Sequence, residues 1–561
     1  MKATKYLFFL SIIGTVFLFS ACNKGFLDRA ATTQQQDEDI YTLFGQTDLV
    51  INNLYRKLPK VYGYLGGYQM GSATDESKDA SNWMASMRFN AGSVSPTDNP
   101  IGNTWRDYYV MIRQANSILE GIAKYKTPDN PNRPGDLNNR IGEVHFLRAW
   151  ALFELVRQFG GVIIVNNVIQ DPNDDAALKR PRSPYDSCVA QIASDCDIAF
   201  SKVQTATYLP SDFGRVTKAA CLALKSRIYL YSASPLWAET GKATPFPDVT
   251  DNTFASDPVK WQKAADAAKV AIDYCASANY KLEANLTSRK SMYIQPWNST
   301  EVLWVRMNEE GGSEFERHYF PSGYSGWSAA APTQNMVDAY EMKDGNPIQS
   351  SPLYKETTPY VDRDPRFYTD ILYNAAQFKG RAVETFAGGK DEASTATDHS
   401  RTGYFHKKLV DENQTVGQTS RTTDGIKFRL TELYLNYAEA LNEYSPGHAD
   451  IAKYINEIRK RAGMPDLPAG LNQQQMRERI RNERRVELFG ENHRFWDVRR
   501  WKIASQTEQN IYGMRAIKEG SNFKYERFLV EKRPWRNAML VIPITLDETF
   551  RNPNLKQNPG W

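Results

Sequence analysis

The chain has 561 residues, of which 24% are charged, and a formal charge of +4. That near-neutral balance excludes a general polyanion binder, whose footprint is a strong basic excess gathered on one face, so nucleic acid is not expected as a partner. The length allows a large core, and five cysteines with no Cys-x-x-Cys pair argue against metal or redox work.

Lys2 and Lys5 precede an apolar run over residues 6–19, followed by Phe19-Ser20-Ala21-Cys22. A run of about 14 residues suits a signal-peptide core and is short of the roughly 20 needed to cross a bilayer as a helix. Residues 1–21 are therefore expected to be cut off, leaving Cys22 at the new N-terminus as the lipidation site. An ordinary secretory signal, with Cys22 incidental, is the competing reading. Loss of the two lysines lowers the formal charge from +4 to +2. No later apolar run reaches 18 residues, so the mature body is expected to be held to a membrane only through its lipid. Residues 22–36 are polar and read as a flexible tether, with ordered structure over 37–561.

Apolar residues at helical spacing predict a first helix over 48–58, stopping at Pro59. Helical patterns then come in pairs, 104–125 with 137–159 and 185–203 with 216–233, and 258–276 begins a third pair. After a loop-rich insertion over about 282–427, helices follow at 428–443, 449–462 and 474–489. The paired helices of 104–276 and 428–490 have the character of divergent tetratricopeptide repeats, with small residues where helices meet, as at Ala438 and Ala440. The expected fold is mostly α, a tetratricopeptide-like scaffold carrying a loop-rich, ligand-binding insertion. Cys188, Cys196, Cys221 and Cys275 all fall on helical patterns. Cys188 and Cys196 lie about 12 Å apart along one helix, too far for a disulfide, so these thiols read as small buried hydrophobes.

Specific motifs gather toward the C-terminus. Leu433-Tyr434-Leu435-Asn436-Tyr437-Ala438-Glu439-Ala440, Arg459-Lys460-Arg461-Ala462-Gly463, Glu483-Arg484-Arg485-Val486-Glu487-Leu488, Arg494-Phe495-Trp496-Asp497-Val498-Arg499-Arg500-Trp501 and the terminal Asn558-Pro559-Gly560-Trp561 resemble the SusD/RagB family of nutrient-binding outer-membrane lipoproteins. Phe146-Leu147-Arg148-Ala149, Phe159-Gly160-Gly161-Val162, Asp364-Pro365-Arg366 and Gly403-Tyr404 extend the resemblance over nearly the whole mature chain. The resemblance implies a helical body that captures a nutrient, typically a glycan, at the cell surface. It also implies delivery to a SusC-like, TonB-dependent outer-membrane barrel, with no catalytic residues and no cofactor or metal.

The residues themselves agree with a binding role. Arg477 to Arg485 alternates with glutamates and reads as an ion-pair-laced helix face. Arg494, Asp497, Arg499 and Arg500 beside Phe495, Trp496 and Trp501 read as structural pairing and stacking. Gly323-Tyr324-Ser325-Gly326-Trp327 nearly spells a hydrolase elbow, but its second glycine falls one position early. Residues 171–182 open like a calcium loop yet carry Ala176 and Arg182 where a glycine and a glutamate are needed.

A sugar platform needs exposed rings to stack on C–H faces and polar side chains to meet hydroxyls. Two stretches offer both: Asp75, Glu76, Asn82, Trp83 and Arg88 after the first helix, and residues 319–327 with Tyr324 and Trp327 among glycines. Loop anchors packed on the core are an equally open reading of the two tryptophans. Trp237 is expected to pack on a repeat helix. The function expected is a lipid-anchored, outward-facing glycan-binding protein of the outer membrane. The alternatives are a lipoprotein glycoside hydrolase and a repeat-based adaptor that binds only protein.

Overall fold

The computed structural model describes residues 36–65, 69–171, 173–204, 210–239, 241–242, 244, 256–311, 314–417 and 422–561. The expected signal, Cys22 and the tether up to residue 35 lie outside the described residues.

The scaffold is a run of helices: α1 (Phe44–Arg56), α2 (Thr104–Tyr125), α3 (Asp136–Phe159), α4 (Tyr185–Lys202), α5 (Lys218–Ala233) and α6 (Pro258–Ser277), then α7 (Leu430–Tyr444), α8 (Ala449–Arg461), α9 (Gln473–Glu487) and α10 (Arg494–Arg500). From α1 to α8 each packs on the one before, giving the expected tetratricopeptide-like stack, and α9 returns against α7. The starts follow local chemistry. Thr217 accepts the Ala220 N–H ahead of α5, and Asp257 accepts those of Val259 and Lys260 ahead of α6, with Pro258 in the first turn where its missing N–H costs nothing. The first helix differs from expectation. It begins at Phe44 and ends at Arg56 rather than running to residue 58, because Pro59 steers the residue before it away from helical backbone.

Close approach needs small side chains. Ala219, Ala220 and Ala223 on α5 and Ala264, Ala265, Ala268 and Ala271 on α6 are all buried where these neighbours pack. The four cysteines are free and buried among them, and burial pushes the Cys188 thiol up to about 11. Trp237 stacks on Tyr185 of α4 with ring centroids 4.3 Å apart, as expected.

Strands are few among the described residues; besides four two-residue strands between residues 371 and 406 they are β1 (Ser77–Lys78), β2 (Val302–Gly311), β3 (Ala331–Pro332), β4 (Thr422–Arg429), β5 (Asn510–Glu519) and β6 (Asn522–Lys532). β2 and β4 pair antiparallel, with Val302 opposite Arg429 and Val305 opposite Ile426. The loop-rich insertion therefore leaves and re-enters the scaffold at one place. That ladder is driven into the core, where Trp304 and Phe428 meet Trp150 of α3 at 5.1 and 5.6 Å, edge to face. Helices α6 and α7 pack together across the insertion, so the stack continues as if it were not there.

A buried ionic cluster joins insertion to scaffold. Glu487 of α9 has no solvent exposure and meets Arg289 at 3.2 Å, Arg429 at 3.0 Å, Arg366 at 3.2 Å and Arg461. Burial opposes its charge, and the four guanidiniums outweigh burial, holding the carboxyl well below its ordinary range. The helix read as an ion-pair-laced face turns much of that face inward. Glu483 and Arg484 are buried along with Glu487, because the helix is covered by the insertion on one side and by α7 on the other. Arg499 stacks on Phe495 at 3.4 Å and Arg500 on Trp501 at 4.6 Å, which bears out the structural reading of that motif.

Candidate functional site

The first candidate stretch is joined to the chain that directly follows the second. The segment after α1 is stapled by Asp79, whose buried carboxylate accepts from Ser72 (2.8 Å), Ser86 (2.5 Å) and the Ala330 N–H (3.1 Å). β1 pairs with β3, setting Ser77 opposite Pro332 and Lys78 opposite Ala331, and Thr333 donates its hydroxyl to the Asp75 carbonyl. Met84 packs on Ala329. The loop carrying Asn82 and Trp83 is therefore fixed to the segment that follows Trp327.

Within that frame the seven candidates divide. Asn82 is exposed and Trp83 is 70% exposed. Arg88 is exposed and donates from Nε to Asp98 at 2.8 Å. Trp327 is half-buried, flanked by the His318 ring at 5.1 Å and the Arg317 guanidinium at 5.6 Å. Tyr324 is half-buried as well; its hydroxyl donates to the Phe378 carbonyl at 2.6 Å and the Arg381 guanidinium covers its ring at 4.1 Å.

Asp75 and Glu76 do not belong at a ligand surface, and the expectation for them is corrected. Asp75 is 2% exposed and ion-paired to Arg494 (2.8 Å) and Arg485 (2.7 Å), two guanidiniums that come from the far end of the chain. Glu76 is 1% exposed, and its Oε1 accepts the Gly490 N–H at 3.1 Å. Burial pushes the Glu76 carboxyl from 4.5 up to about 7. A carboxyl that binds its proton more tightly when folded makes the native state less stable as pH climbs from about 4.5 to about 7. Glu76→Gln is accordingly expected to be more stable than the parent by about 1–3 kcal/mol at pH 8, with the advantage vanishing near pH 4.5. Thermal melts at the two pH values check this, and an equal difference at both would contradict it.

Asn82 lines a cavity of about 700 Å³ together with Lys78 and Met87 of the same segment, residues 385–387, 392–395 and 401 of the insertion, and residues 515–518 and 528–531 of the β5–β6 hairpin. The hairpin is seated beside Arg401 by a bond from the Met514 N–H to the Thr402 carbonyl at 2.9 Å. Gly403, at φ +85°, makes that approach possible, since a Cβ there would collide with the Met514 carbonyl. Sequence reasoning did not pick out the hairpin. Its signal is present: two runs of strand residues flank Glu519-Gly520-Ser521-Asn522, and Gly520 adopts φ +64° at the turn.

Of the two glutamates lining the cavity, Glu531 is held by Lys78 (3.1 Å) and Arg533 (2.8 Å). Burial opposes its charge, but Arg533 and Lys78 outweigh burial and keep the carboxyl below its ordinary range. It is placed to accept hydrogen bonds and is poorly suited to donate the proton that glycosidic cleavage requires.

Comparison with known proteins agrees with this architecture. Residues 300–561 match the model of the SusD family, and residues 25–230 match a SusD-like model described as "Starch-binding associating with outer membrane". The chain is 23% identical to SusD-like protein P2 of Formosa agariphila over 82% of this chain and 80% of that one. A SusD-like protein of Bacteroides fragilis superposes with a TM-score of 0.77 at 26% identity, covering 94% of this chain and 99% of its own. A second Bacteroides fragilis structure, titled a SusD-like carbohydrate binding protein, gives 0.75 at 23% identity, covering 92% and 100%. With both halves matched by models of one kind and the helical stack shared along its length, the chain belongs to the SusD family.

Proposed function

We propose that this chain is a lipid-anchored, outward-facing glycan-binding protein of the outer membrane that captures its ligand and passes it to a SusC-like, TonB-dependent barrel. The observation that carries the binding role is Trp83, 70% exposed on a stapled loop beside Asn82 at a cavity of about 700 Å³. An indole held in water on a rigid loop offers a flat apolar face at little ordering cost, and a neighbouring amide can meet the hydroxyls at a sugar's rim. Trp327 and Tyr324, from the segment just before the one paired with this loop, and Arg88 complete the candidate set. The carbohydrate-binding title of one structural neighbour and the outer-membrane description of the matching family model support the same reading. The lipid anchor rests on the motif ending at Cys22, and delivery to a barrel rests on family membership.

Isothermal titration of the mature chain against a panel of oligosaccharides tests the binding role. Trp83→Ala is expected to weaken the bound glycan about 10-fold while leaving the melting temperature unchanged, because the ring packs little against the core. A protein-only adaptor would give no glycan heat with any member of the panel. Release of reducing ends from a bound polysaccharide, lost in Glu392→Gln, would instead establish the hydrolase.

A further inference from the structure

The cavity is lined more by cations than by anions, although the chain as a whole is near neutral. Glu531 is already matched by Lys78 and Arg533, which leaves Arg401, Arg515 and Lys518 facing only Glu392 among the lining acids. None of these three cations has a carboxylate within ion-pair distance among the described residues. Two are instead pinned over aromatic rings of the same cavity: Lys518 Nζ lies 5.0 Å from the Phe386 ring centre and the Arg515 guanidinium 5.1 Å from that of Phe528. Such pinning fixes where the positive charge sits without neutralising it.

Arg401 is the most telling of the three. It is half-buried, and its Nε donates to the Ala80 carbonyl at 2.6 Å, which locks the guanidinium at the seam between the Trp83 loop and the insertion. Its two terminal amino groups make no hydrogen bond to any described residue. Burial lowers its affinity for its own proton, with no nearby acid to offset that. A partly desolvated guanidinium with a free fork is the arrangement that planar oxyanions satisfy bidentately.

We propose that the cavity selects an acidic saccharide, a unit bearing a carboxylate or a sulfate ester, whose anionic group is gripped by Arg401 and flanked by Lys518 and Arg515. This rests on the glycan-binding reading and narrows its substrate class. Phe386 and Phe528 supply apolar walls for the ring of the same unit, and Asn82 a partner for its hydroxyls.

The test is isothermal titration of the mature chain with four probes of similar length: oligogalacturonate for the carboxylate, carrageenan oligosaccharide for the sulfate ester, and maltohexaose and xylohexaose as neutral controls. An acidic probe is expected to bind, the better of the two identifying the anion, and to weaken several-fold between about 0.05 and 0.3 M salt as charges are screened. Arg401→Gln should cost about 10-fold or more, and Lys518→Gln, on an exposed hairpin edge where folding is not at stake, several-fold. Neutral probes bound as well as acidic ones, with affinity indifferent to both substitutions, would overturn the proposal while leaving glycan binding in place. Acidic probes bound with parental affinity by both variants would also overturn it. No heat with any of the four, while another member of the oligosaccharide panel binds, would overturn this proposal alone, and no heat with any member would remove the glycan reading as well.

Discussion

Glu487→Ala is expected to cost about 3–5 kcal/mol of folding free energy, because it strips the counter-charge from guanidiniums that have already lost their water. Glu487 is reached by Arg289 and Arg366 from the insertion, Arg429 from β4 and Arg461 from α8. Each has a second acid: Asp370 for Arg289, Asp364 for Arg366, Glu491 for Arg429 and Glu301 for Arg461. That sharing spares the cluster from complete collapse, but it leaves four cations facing one fewer anion at a depth where solvent cannot compensate. Urea unfolding of both proteins gives the difference directly. Asp98→Ala is the matched control, since it removes the exposed Arg88–Asp98 pair and should change stability by less than about 1 kcal/mol. A loss at Glu487 no larger than at Asp98 would mean that the cluster does not bind insertion to scaffold. The same chemistry sets acid sensitivity. Burial works against charge at Glu439 and Glu491, while Arg500 and Arg429 respectively override it and hold both carboxyls down at about 2. Their contribution is full above about pH 4.5 and is lost as pH falls toward 2.

Cys22→Ala is expected to abolish membrane retention while leaving glycan affinity unchanged. In the proposed reading the thiol of Cys22 carries a thioether-linked diacylglyceryl group once residues 1–21 are removed. Each buried methylene contributes about 0.8 kcal/mol, and one acyl chain alone holds a protein only marginally, so several chains on one residue decide between anchored and free. Alanine at that position removes every chain at once. Fractionation of cells should move the variant from the membrane pellet to the soluble fraction, and titration of the released protein should match the parent. A variant that stays in the pellet would point to a different attachment, and altered affinity would mean that the N-terminus takes part in the site.

The sequence was most legible where the information is local. Helix α2 runs over the residues that its apolar spacing predicted, and α3 and α6 agree to within a residue at each end, because caps and 3.6-residue periodicity act over a few neighbours. The β5–β6 hairpin escaped notice although its turn is local too; its strands are partly exposed and mixed in character, so the burial alternation is weak. Asp75 and Glu76 were misread for a different reason. Two acids in an irregular polar segment look exposed from the sequence, and only the arrival of Arg485, Arg494 and Gly490 from the C-terminal half buries them.

The sequence by itself determined the helical scaffold, the fate of the four cysteines and the family, since each follows from spacing, caps or contiguous motifs. Tertiary structure alone decided which polar residues line the cavity. Lys78, Arg401 and Lys518 come from three segments far apart in the chain and meet at one cavity, and the acids that neutralise some cations and not others arrive by the same long-range packing. Whether a charge is paired, buried or left for a ligand depends on neighbours in space, and no local pattern of residues encodes those.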